Sequence, residues 1–99
     1  MKIHPAAWRE IAAAEAWYAE RSEPASKRFR LAIADVLEAV ATTPLSFGFA
    51  HDDSSMRQAW AYRFPYRVVF FVRSDGEVFV LSVHHAAREP GFWRRRRPR

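Results

Sequence analysis

Cysteine is absent from this 99-residue sequence, which rules out both a disulfide framework and a thiolate metal site. No disulfide ties the chain to an oxidising compartment. Long apolar runs are missing too. MKIHPAAW lacks the hydrophobic core of a secretory signal, and no other stretch is long enough to cross a bilayer. A cytoplasmic protein with no membrane partner is expected. Acidic residues run short in one place only. Residues 1–87 balance ten Lys/Arg against ten Asp/Glu, whereas residues 88–99 set six arginines against Glu89 alone. The formal charge of +5 therefore sits entirely in the last twelve residues. A cationic nucleic-acid binder spreads its charge over a face; this chain concentrates it at one end.

What is present suffices for one folded domain, since hydrophobic residues make up 49% of the chain, with eight Phe and four Trp. Lys2-Ile3-His4 is a candidate short strand, stopped by Pro5. Proline suits the first turn of a helix, where its missing N–H leaves no bond unmade. Ala7, Ile11, Ala14 and Tyr18 then recur at helical spacing and share one face. Arg9, Glu10 and Glu20 fall largely elsewhere, and Trp8 and Trp17 flank the stripe. Ser22-Glu23-Pro24 breaks the pattern and opens a second helix with Ser22 as N-cap. Its stripe is Ala25, Phe29, Ala32, Ile33, Val36 and Val40, and Thr42-Thr43-Pro44 closes it. So short a link folds the two helices into an antiparallel hairpin.

Leu45 to Met56 is irregular and is expected as a surface loop. Beyond it the period changes to two. Gln58, Trp60, Tyr62 and Phe64 alternate with Arg57, Ala59, Ala61 and Arg63, which predicts a strand over 57–64 interrupted by Pro65. YRVVFFVR, from Tyr66 to Arg73, is apolar on both faces and predicts a central strand covered on both sides. Ser74-Asp75-Gly76 supplies a hairpin turn, and residues 77–85 form the returning strand. The expected fold class is α+β: an N-terminal antiparallel helix hairpin packed on a three- to four-stranded, mainly antiparallel sheet. The domain spans 1–93, followed by a basic C-terminal tail, 94–99.

This arrangement, with FPYRVVFFVRSDGEVFVLSVHHAAREP from Phe64 to Pro90, resembles the RelE/ParE superfamily of toxins from bacterial type II toxin–antitoxin systems, of the plasmid stabilisation type. The most specific element is Val83-His84 followed by Arg88, Pro90 and Trp93. The resemblance implies a microbial-ribonuclease-like α+β domain and a growth inhibitor neutralised by a cognate antitoxin, in a toxin–antitoxin hetero-oligomer. It also implies two possible activities. ParE-like members block DNA gyrase, whereas RelE-like members cut messenger RNA on the ribosome as metal-independent endoribonucleases. The family name alone cannot choose between inhibitor and enzyme.

Cleavage by 2′-OH attack needs a base, an acid, and cations for the charge growing on phosphorus. Arg67 matches the family arginine at the start of the central strand, and Arg88 matches one just past the last strand. Where some RelE-like nucleases carry a C-terminal tyrosine, this chain has Phe92 or Trp93, which transfer no proton. That departure favours the ParE-like activity. His84 or His85 could titrate instead, but neighbours on a strand point to opposite faces, so only one can join Arg67. The bland alternative makes one histidine a core cap and the other a solvated side chain. Within its apolar strand, Arg67 needs either a carboxylate or an open groove. Arg63 and Arg73 read as solvated or salt-bridged charges, with Asp52, Asp53 or Glu77 available as partners. Adjacent strand histidines cannot chelate one ion and His51-Asp52-Asp53 is a common loop pattern, so no metal or cofactor is expected. Phe92, Trp93, Arg94, Arg95 and Arg96, with Arg63, are candidate antitoxin or nucleic-acid contacts, because aromatics beside arginines stack on bases or anchor in a partner. A third class, a DNA-binding module acting through the tail, predicts steeply salt-dependent duplex binding.

Overall fold

A computed structural model describes residues 1–97. Pro98 and Arg99, part of the expected tail, lie outside the described residues. Helix α1 (Pro5–Arg21) carries its proline in the first turn, and α2 (Glu23–Thr42) follows after one residue. That residue, Ser22, serves both helices. Its N–H closes α1 on Tyr18 O at 2.7 Å, and its Oγ accepts the Ala25 N–H of α2 at 3.2 Å. Ser22→Ala should therefore cost about 1 kcal/mol, read as a lower urea midpoint with an unchanged slope.

Among the described residues, five strands form one sheet in the order β1-β5-β4-β3-β2. They are β1 (Lys2–Ile3), β2 (Phe49–Ala50), β3 (Asp53–Trp60), β4 (Tyr66–Val72) and β5 (Val78–His85). Only β1 runs parallel to its neighbour, β5; the other pairs are antiparallel. The Asp75-Gly76 hairpin is as expected, with Gly76 at φ +87°. The helices cover one sheet face. Ala7, Ala14, Phe29, Ile33, Val36 and Val40 meet Ala59, Ala61, Val68, Phe70, Val80 and Val83 there. Tyr18, Phe29, Phe64 and Tyr66 close the end of that layer with ring centroids 5.1–6.4 Å apart. The other face buries Ala50, Met56, Val69, Phe71, Phe79 and Leu81 beneath Trp93, which comes from a 3₁₀ turn at Phe92–Arg96. None of the described helices is long and apolar enough to cross a membrane.

Three features differ from the sequence reading. The candidate strand at the N-terminus is there as β1, and the sheet reaches five strands because the two-residue β2, too short to leave a periodic signal, adds the opposite edge. The segment read as a loop over 45–56 holds a 3₁₀ turn at Pro44–Ser46, then β2 and the start of β3. Strand β3 lies four residues earlier than expected and ends at Trp60; Ala61 to Pro65 turn the chain, with Arg63 at φ +64°. The alternation was real, but its small members, Ala59 and Ala61, face the helices, while Trp60 is 46% exposed. Alanines there let α2 approach the sheet.

The register between β4 and β5 steps at one point. Val69 faces Ser82 and Phe70 faces Val80, leaving Leu81 as an extra residue in β5. Such a bulge resets the alternation. It puts Ser82 and His84 on the same side as Leu81, the face covered by Trp93.

Candidate functional site

Arg67 lies in β4 between Trp60 and His84, its cross-strand partners. Its side chain is 4% exposed. A charge so far from water needs every donor satisfied, and the surroundings supply acceptors. Asp52, in the turn before β3, takes Nη1 at 3.0 Å and Nη2 at 2.7 Å; Gln58 Oε1 takes Nη1 at 2.8 Å. His84 Nε2 accepts Nε–H at 3.1 Å. Of the two environments the sequence allowed, carboxylate or open groove, Arg67 has the carboxylate. Hydrogen bonding from Arg67 holds the Asp52 carboxyl below its ordinary range.

Because Nε2 accepts from Arg67, the neutral His84 ring must carry its proton on Nδ1. Nδ1 lies 2.6 Å from Ser82 Oγ, and Ser82 in turn donates to Glu10 Oε1 at 3.2 Å. A directed chain of donors thus runs from Arg67 through His84 and Ser82 to a carboxylate on α1. Burial, then the charge of Arg67, lowers the His84 pKa from 6.5 to about 4. Trp93 lies flat on the imidazole, 5.3 Å away at 17°, and the Arg67 guanidinium sits 4.8 Å from the indole centroid.

Glu10 is the second organising residue. Among the described residues no strand lies beside the outer edge of β5 beyond the two residues of β1, and exposed edges must be covered. Glu10 Oε1 accepts the Val83 N–H at 3.1 Å, and Arg96 donates to Leu81 O at 3.0 Å. Arg96 and Arg88 each reach a Glu10 oxygen at 2.8 Å. One carboxylate therefore seals the sheet edge and ties the C-terminal segment to α1.

The candidate residues separate. Arg67 and His84 come together but are buried. His85 points to the opposite face and is exposed, with Nδ1 accepting the Ala87 N–H at 3.0 Å. With Arg88 it flanks an open groove of about 460 Å³ between α1 and β5, whose lining also takes in Glu10, Tyr18, Tyr66, Val83 and an edge of the otherwise buried His84, with Trp17 at its rim. Burial raises both tyrosine pKa values. Arg63 sits in the β3–β4 turn over the Tyr62 ring, not in a strand. Arg73 pairs with Asp75.

Trp93, expected as a contact residue, is fully buried, and Phe92 is partly buried with Arg88 stacked on it at 3.5 Å. The arginine run differs from a free solvated tail: Arg94 bonds Asp53 at 3.2 Å and Arg96 is largely buried on Glu10, while Arg95 is exposed. The residues that sequence reasoning missed are Glu10, Gln58 and Ser82. For Glu10 a signal existed. The sequence reading places it off the apolar face, yet its spacing, three residues after Ala7 and four before Ala14, brings it beside the stripe, where it meets β5.

The family model for the ParE toxin of type II toxin–antitoxin systems, parDE, matches residues 1–90 of this chain. The chain belongs to that family, within the RelE/ParE superfamily, and is a toxin whose implied partner is a cognate antitoxin. No curated protein matches it.

Proposed function

We propose that this toxin acts as ParE-like inhibitors do, by binding DNA gyrase, and not by cutting messenger RNA. The observation that carries the reading is the commitment of His84 and Arg67 to each other under Trp93. A general base must offer a lone pair to the substrate. His84 spends one nitrogen on Arg67 and the other on Ser82, and burial keeps it neutral near pH 7. Arg67 offers no free N–H fork to a phosphate, because Asp52 holds it bidentate. Cationic stabilisation of a phosphorane from that pair would require breaking a buried ion pair first.

A nuclease would have to run on His85 and Arg88, the exposed pair beside the α1–β5 groove. Arg88 is already paired with Glu10 there, and neither Phe92 nor Trp93 can donate a proton. The inhibitor reading needs none of this chemistry: it asks only for a stable surface. The test is expression of the toxin in cells with transcripts mapped at nucleotide resolution, alongside gyrase supercoiling assays with purified protein. Lost supercoiling and induction of the DNA-damage response, with transcripts intact, are expected. Ribosome-phased cuts that disappear in His85→Ala would overturn the reading.

A further inference from the structure

The C-terminal turn is attached to the body in an unusual way. Its backbone bonds are internal, Arg94 N–H to Gly91 O at 3.2 Å and Arg97 N–H to Arg94 O at 3.3 Å; among the described residues none joins it to the sheet. Side chains alone hold it down: Trp93 on His84, Arg96 on Glu10 and Arg94 on Asp53. It is entered through Gly91 at φ +86°, a left-handed conformation that favours glycine; a Cβ there would only push aside the Arg94 guanidinium, the end of a flexible side chain. The Trp93 Nε1–H is buried with no acceptor, an unsatisfied donor that opposes the closed arrangement.

We propose that Phe92–Arg96 is a strap hinged at Gly91, latched over Arg67 and His84, and released as a unit when His84 takes up a proton. The geometry supplies the trigger. A proton can enter only at Nε2, and there it would face the Arg67 Nε–H across 3.1 Å, donor against donor. The imidazole must then turn, and the indole stacked on it loses its platform. The charges facing His84 agree in sign: Arg67 from β4, Arg88 beyond β5 and Arg96 from the strap oppose the proton, while Asp52 and, through Ser82, Glu10 favour it from further out. Opening returns His84 to water and to its ordinary titration range. Because the closed state depresses the pKa, its advantage is complete above pH 6.5 and erodes as pH falls towards about 4. Across that window the open fraction grows by up to tenfold per pH unit.

The experiment uses the whole chain labelled with 5-fluorotryptophan, with the Trp93 resonance identified by its absence in Trp93→Phe. On acidification from about pH 7.5 to about pH 4.5, that resonance should move to a solvent-exposed position while β4 amides stay protected. Glu10→Gln, which weakens the Arg88 and Arg96 latch, should open at higher pH. His84→Gln keeps an acceptor for Arg67 and removes the titration, so its Trp93 signal should stay pH-independent. Should that variant not fold, the NMR titration midpoint of His84 in the wild type must coincide with that of Trp93. A Trp93 signal that is static in both wild type and Glu10→Gln overturns the proposal. So does one that moves only as β4 protection is lost, or whose midpoint differs from that of His84.

Discussion

Asp52→Ala is expected to destabilise the protein by about 3–5 kcal/mol, because it strands a buried guanidinium. The Asp52 and Arg67 side chains are 13% and 4% exposed and meet through two parallel bonds. Their mutual attraction is weighed against the desolvation of both, so the pair adds little net stability; removing one partner leaves the other's cost uncompensated. Urea denaturation measures the loss. The pH dependence has a defined sign. Asp52 titrates below 3.8 in the folded state, so its contribution is present above that value and is lost as the carboxylate protonates on further acidification. Asp52→Ala should remove this part of the acid sensitivity. An effect within about 0.5 kcal/mol, the size typical of a surface substitution, would mean that Arg67 reaches water.

Trp93→Ala should cost a comparable about 3–5 kcal/mol, the range for emptying a buried aromatic site. Trp93 is the largest fully buried side chain and covers Val69, Phe71, Leu81 and His84. Trp93→Phe should be far milder. It gives up some volume but also removes an indole N–H with no acceptor, whose burial costs about 1–3 kcal/mol. Thermal unfolding followed by circular dichroism should therefore rank wild type and Trp93→Phe close together, with Trp93→Ala well below both. A solvated tail predicts the opposite: truncation after Gly91 would leave the melting temperature unchanged.

The parts of this fold legible in the sequence are those built from local contacts. Pro5, Ser22 and Pro44 bound the helices by backbone chemistry that needs no partner, and Asp75-Gly76 sets the hairpin by its own torsions. Strand β4 announced itself because helices and strap cover both its faces, making every position from Val68 to Phe71 apolar. Strand β3 reads four residues late, because its first three residues, Asp53, Ser54 and Ser55, are polar and the residue it turns towards the helices near its end is the small Ala59. At the site, the sequence brought out Arg67, Arg88 and the two histidines and required His84 and His85 to part. It could not place Trp93 or Arg96. Trp93 packs only once the strands beneath it have paired, and Arg96 is held by Glu10, 86 residues away; a terminal arginine run reads as solvated until such a partner is seen.

On the proposed reading, Arg67 and His84 serve the fold instead of transferring protons or phosphates. Its most direct test is growth inhibition by Arg67→Met, expressed at a temperature where circular dichroism shows it folded and normalised to soluble protein. Toxicity per folded molecule should match that of the wild type. A folded, soluble Arg67→Met that no longer inhibits growth, yet still binds the antitoxin, would contradict it.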